Sequence, residues 1–226
     1  MNKVIKSTIS LMIVTIIAKV LGFIREIVLA SSYGTSIYSD IYLTALNIPT
    51  VIFAVIGVAL NTTFIPIYFD IKKKKGQSST ILYTNNMLNI INVLSIIVTI
   101  IGLIFTEQIV KIFAIGFTGE TLELAVKFTR ILLLGLMFTS SSNILSAYLQ
   151  ANNKFIIPGL VSIPYNIFII ISMILSLKYG IYIMIWGTLI GIISQVIFQL
   201  PYAKKQGYKF KLYINLKDEY IKQIIY

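Results

Sequence analysis

At 226 residues the chain is long enough for one or two domains, yet 57% of it is hydrophobic and only 12% is charged. Soluble domains average roughly 45–50% and about 25%, so these charges are too few to cover a soluble globule of this size. The 19 Lys and Arg against 8 Asp and Glu give a net +11, but most basic residues sit in short breaks between apolar runs, a distribution that argues against nucleic acid as a partner. With no Cys and no His, disulfides, thiol nucleophiles and the usual zinc sites are excluded. No cofactor, metal or enzymatic chemistry is expected. The composition is that of a polytopic membrane protein.

The first apolar segment, residues 7–31, carries Lys19, Arg25 and Glu26 inside it. Lys3 and Lys6 precede it as in a signal peptide, but the internal charges and the lack of a small-residue cleavage site mark a retained helix. Five stretches free of Asp, Glu, Lys and Arg follow, at residues 41–69, 76–106, 131–153, 155–177 and 179–203. Each exceeds the roughly 20 residues a helix needs to cross hydrocarbon. Lipid forces the backbone to satisfy its own hydrogen bonds, so the expected fold is all-α, a bundle of six transmembrane helices.

With the N-terminus cytoplasmic, the inner segments hold Lys3, Lys6, Lys72, Lys73, Lys74, Lys75, Lys154, Lys204, Lys205, Lys209, Lys211, Lys217 and Lys222. These are 13 of the 19 basic residues, a strong positive-inside bias. The lysine run at 72–75 reads as a topology determinant that also touches anionic membrane lipids. Residues 1–207 form the expected six-helix lobe. Residues 208–226 form a cytoplasmic segment leading into a seventh helix of a longer protein.

Ionisable residues inside a span are functional candidates. Lys19 lies 12 residues past Ser7, about 18 Å deep and near the midplane, whereas Arg25 at about 27 Å approaches the outer surface and could snorkel. Lys19 and Glu26 share a face with Gly22 but are about 10 Å apart along the axis, so each needs a partner elsewhere. Asp40 opens the second helix at the depth of Arg25. It is placed to pair with Arg25 or to complement the helix dipole, with Ser39 as cap. Uncharged polar stripes run through other helices: Asn85, Asn89 and Asn92; Ser140, Ser141, Ser142, Asn143 and Ser146; Gln195 and Gln199. Each fits interhelical packing, as does the Gly187–Gly191 spacing. Together they suggest a polar cavity.

Several ordered motifs carry a family resemblance. Lys19-Val-Leu-Gly-Phe-Ile-Arg25-Glu26 is followed by Tyr33-Gly34, Asp40, Asn47-Ile-Pro49 and Thr63-Phe-Ile-Pro66. Gly116-Phe117, Ile144-Leu-Ser-Ala147, Asn153-Lys-Phe155, Pro158, Tyr165-Asn166, Gly191, Gln195, Gln199-Leu-Pro201 and Lys205-Gln-Gly207 come next. Together they resemble the MurJ (MviN) family of the multidrug/oligosaccharidyl-lipid/polysaccharide exporter superfamily. The resemblance implies the first lobe of a two-lobe flippase for lipid II in the bacterial cytoplasmic membrane. Lys19 and Arg25 would bind the substrate diphosphate, with Glu26 and Asp40 as charge partners in gating. It further implies cell-wall synthesis enzymes as partners and a cycle driven by ions or membrane potential. Where the family often carries an Arg-Arg pair, this chain has Val51-Ile-Phe53, which leaves room for an exporter of another polyprenyl-linked saccharide. A cation-coupled multidrug exporter would prefer an acidic cavity, and a non-transporting wall-synthesis scaffold has no use for a midplane cation.

Overall fold

The computed structural model describes residues 3–225, with side chains for all but 3–8, 55–62 and 223–225. Lys3 and Lys6 therefore lie outside the described side chains. Every described element is helical: α1 (Lys3–Tyr33), α2 (Ile37–Ile104), α3 (Thr106–Phe113), α4 (Gly119–Leu133), α5 (Leu136–Ala151), α6 (Ile156–Leu160), α7 (Ser162–Tyr179), α8 (Tyr182–Lys205) and α9 (Glu219–Ile225). Among the described residues, four helices are long and apolar enough to cross a membrane: Ile37–Ala54, Thr63–Ile104, Ile156–Tyr179 and Tyr182–Lys205.

The second and third expected spans are the two arms of α2. They part at Gly76, whose φ of 78° and ψ of −178° interrupt the helix. A positive φ of this kind is open to glycine without steric strain. The arms fold back on one another, with the Phe64 and Tyr83 rings 5.2 Å apart and Gln77 donating to the Tyr68 hydroxyl at 3.3 Å.

The fourth expected span, 131–153, is not one helix. It is α5 joined to the end of α4 through a break at Leu134 and Gly135. A side chain at Gly135 would meet Ile192 Cδ1 at 2.9 Å, so glycine allows α8 to approach the break. Glu120, Glu123, Lys127 and Arg130 extend α4 beyond the apolar run. In the fifth span the helical hydrogen bonding is interrupted at Val161 between α6 and α7. Its φ of −58° and ψ of −31° stay helical, and Ile156–Tyr179 runs on as one span. Pro164, in the first turn of α7, has no N–H to return to the preceding turn.

Helix α7 packs along α8 on one side and along α1 on the other. Small residues set the α7–α8 distance, as the Gly187–Gly191 spacing predicts. A Cβ on Gly187 would overlap Ser172, and one on Gly191 would lie 3.0 Å from the Tyr165 carbonyl. Between α5 and α8, Gln199 donates to Ser142 Oγ at 2.8 Å and accepts from Ser146 at 2.8 Å. Ser95 and Ser140 join the second arm of α2 to α5. In lipid each such bond contributes on the order of 0.6 kcal/mol, so a set of them fixes register more than it adds stability.

Candidate functional site

The helical period decides where the charges of α1 point. Val14, Ala18, Leu21, Arg25 and Val28 recur at three- and four-residue steps and form the buried or half-buried stripe against the bundle. Arg25 is thereby turned inward. Its Nη2 donates to Glu26 Oε1 at 2.5 Å and its Nε to the same oxygen at 3.2 Å. Nη1 reaches Asn166 Oδ1 on α7 at 3.4 Å, and the guanidinium lies 6.0 Å from the centre of the Tyr165 ring. Side-chain exposure is 21% for Arg25 and 49% for Glu26, so the carboxylate is the open end of the pair.

Asp40 does not join this cluster. Among the described residues the ion pair of Arg25 is with Glu26, its immediate neighbour, which reaches the guanidinium first. Asp40 is exposed in the first turn of α2, which leaves it the dipole role. The N-cap is Ser36 rather than Ser39; Ser39 instead donates to the Gly34 carbonyl at 2.9 Å, closing the α1–α2 turn.

Lys19 and Arg25 do not share a face. Six residues apart, they point about 120° away from each other and lie about 9 Å apart along the axis. Lys19 is exposed and, among the described residues, makes no ion pair. It stands with Thr15, Gly22 and Glu26 on one side of α1, beside an exposed apolar face of Met12, Ile16, Val20 and Phe23.

A cavity of about 370 Å³ lies between α2, the α4–α5 break, α7 and α8. Pro49, Phe53, Leu136 and Ile192 make most of it apolar; Thr50, Thr139 and Gln195 supply polar atoms, and Tyr165 stands between it and Arg25. Of the polar stripes in the sequence, only Gln195 faces this space. Asn92 accepts from Ser141 at 3.0 Å, while Asn85 and Asn89 hold backbone beyond α8. Tyr165 and Asn166 are the site residues that charge alone did not reveal. Their one sequence signal is a Tyr-Asn pair directly before the apolar run 167–171.

At the inner end of the first arm of α2, beside Gly76, three of the four lysines of the run are engaged. Lys74 bridges Asp70 at 2.9 Å, Lys72 lies 6.0 Å from the Tyr68 ring centre and Lys75 lies 4.8 Å from that of Tyr220 on α9. On the far side, Lys111 bridges Glu107 at 2.7 Å and holds its carboxyl below the usual range, chiefly through that hydrogen bond. Both partners are exposed, so the pair adds little to stability.

The same helical arrangement occurs in solved transporters. A MOP superfamily transporter from Pyrococcus furiosus matches 97% of this chain and 50% of its own at TM-score 0.71 and 19% identity, a likeness of fold alone. A structure described as "Lipid II flippase MurJ, inward closed conformation" matches 96% of this chain and 46% of its own at TM-score 0.80 and 28% identity. The chain therefore shares the helical fold of these membrane transporters. The family profile described as "Lipid II flippase MurJ" matches residues 29–226, and the chain belongs to that family. A probable lipid II flippase MurJ of Buchnera aphidicola subsp. Baizongia pistaciae is 31% identical over 89% of this chain and 40% of its own length. The chain thus spans about 40% of the length of the curated relatives it matches.

Proposed function

We propose that this chain is the first lobe of a flippase that carries lipid II, a polyprenyl-diphosphate-linked peptidoglycan precursor, between the leaflets of the bacterial cytoplasmic membrane. The observation that carries this reading is the likeness of 96% of the chain to the inward-closed flippase structure. Six spans make the lobe over residues 1–207: α1, the two arms of α2, α4 with α5, α6 with α7, and α8. Helix α9, within 208–226, begins the seventh. The N-terminus is cytoplasmic, as the placement of the basic residues supports.

The physical task is to bring a diphosphate through hydrocarbon while its lipid tail stays outside. Fixed cations replace the water around the phosphates. Arg25 offers a planar fork and Lys19 a compact point charge. Glu26 occupies the Arg25 fork, so a diphosphate binding there exchanges with a carboxylate rather than meeting a bare cation. That exchange couples binding to a rearrangement at α1, while Asp40 complements the dipole at the start of α2. The lobe rocks against a second lobe to alternate access, powered by ions or membrane potential. No covalent bond is made or broken. Anionic lipids and wall-synthesis enzymes are its further partners.

The test is lipid II movement in vesicles by the full-length protein, read by a probe added outside. Loss of movement in Arg25→Ala with normal insertion supports the reading. Unchanged movement removes Arg25 from the site, and movement of another polyprenyl-linked saccharide instead of lipid II overturns the substrate.

A further inference from the structure

Residues 208–215, between α8 and α9, have no regular structure, yet side-chain amides pin their backbone to the second arm of α2. Asn85 donates to the Lys209 carbonyl at 2.8 Å and accepts from the Lys211 N–H at 2.9 Å; the Tyr208 hydroxyl donates to the same amide oxygen at 3.0 Å. One turn further along, Asn89 donates to the carbonyls of Lys211 at 2.9 Å and Tyr213 at 3.2 Å. Asn86 then holds Asn215 through both its N–H, at 2.7 Å, and its carbonyl, at 3.0 Å. The strap therefore climbs about 6 Å along the arm and returns.

The depth of this climb follows from helix length. Phe105 is exposed and apolar, and Glu107 opens the polar surface beyond it. Counting back about 20 residues, the length that crosses hydrocarbon, puts the inner edge of the hydrocarbon near Asn86. The strap thus turns at that edge, where backbone groups lack water and need partners from the protein. The asparagines supply them.

The amides grip the backbone of residues 209, 211, 213 and 215. The residues between them and the one that follows are all large, apolar and exposed: Phe210 at 63%, Leu212 at 78%, Ile214 at 49% and Leu216 at 60%. Lys209, Lys211 and Lys217 are exposed among them. A cleft of about 320 Å³ between strap and arm is lined by Ser78, Leu82, Lys209, Phe210 and Lys211. Alternating apolar and cationic side chains at this depth complement one surface, acyl chains beneath anionic headgroups.

We propose that residues 209–217 are an interfacial anchor: Phe210, Leu212, Ile214 and Leu216 immerse in the acyl boundary of the inner leaflet, and Lys209, Lys211 and Lys217 take anionic headgroups. This assignment is independent of the transported substrate. It is tested with nitroxide labels on Phe210→Cys, Leu212→Cys, Ile214→Cys and Leu216→Cys in the full-length protein, cysteine-free elsewhere, in vesicles containing phosphatidylglycerol. Oxygen collisions should exceed those of a water-soluble nickel chelate at all four positions, most strongly at 212. Dominant nickel collisions would place the strap in water. Low collisions with both reagents would show it covered by protein, whether another part of the chain or a second copy. Either result overturns the anchor. In phosphatidylcholine alone the labels should become shallower, and an unchanged depth would overturn the role given to the lysines.

Discussion

Asn166 presents its amide oxygen to Arg25 at 3.4 Å because its own nitrogen is committed to the Ser162 carbonyl at 2.8 Å. One short-range bond within α7 thereby orients the acceptor that ties α1 to the bundle. Replacing Asn166 by Leu leaves Arg25 its ion pair with Glu26 and the face of Tyr165, and removes its hydrogen bond to α7. A hydrogen bond to a charged group contributes about 1.5–3 kcal/mol, and this long one sits at the lower end. Transport by Asn166→Leu should fall about tenfold with insertion intact, since about 1.4 kcal/mol is a factor of ten. An unchanged rate would make the contact incidental.

Lys19 makes no ion pair among the described residues and is exposed. Its removal breaks no such pair and takes a charge out of the span, so folding and insertion should persist. If it binds diphosphate, Lys19→Ala abolishes transport at normal expression while Lys19→Arg retains it. Thermal unfolding beside a transport assay separates the two effects, and full transport by Lys19→Ala removes Lys19 from the binding site.

The helical class, the apolar runs and the special status of α1 were legible because membrane constraints act on composition and period, which a sequence displays directly. The breaks were less so. Gly135 and Pro164 are ordinary within apolar runs, and only the approach of Ile192 and the missing N–H reveal what each does. Arg25 was legible as a charge out of place, but its partner was not. Depth along the sequence favoured Asp40, while the adjacency of Glu26 prevailed in the structure. Asn85 and Asn89 show the deeper limit. A polar stripe on a membrane helix reads the same whether it faces a cavity, another helix or a strap of backbone.

Close packing of α7 on α8 rests on Gly187, where a Cβ would overlap Ser172. Gly187→Ala should lower stability by about 1–3 kcal/mol, the usual range for overpacking, measured by thermal unfolding in detergent. Adding Ser172→Gly should recover most of the loss, because it vacates the same space. A neutral single variant would mean that the helices part without penalty.

Topology can be read by labelling, since the chain has no Cys of its own. Ser78→Cys and Gln206→Cys should be shielded from impermeant reagents in intact cells, and Thr35→Cys should react. Position 78 serves better than 76, where the φ of 78° disfavours a side chain. Reaction at 78 from outside would sink the six-span arrangement.

The asparagine clamp makes a prediction specific to single amides. Asn85 accepts from the N–H of Lys211 and Asn86 from the N–H of Asn215, whereas Asn89 binds carbonyls only. Hydrogen exchange at Lys211 should therefore quicken in Asn85→Ala, with Asn215 little changed, and the reverse should hold in Asn86→Ala. Each lost bond is worth about 1 kcal/mol, so exchange should rise about fivefold. Asn89→Ala removes no acceptor from either amide and should leave both slow unless the strap lifts as a unit. Equal acceleration of both amides in all three variants would show that the strap opens cooperatively, and that no asparagine holds its own residue.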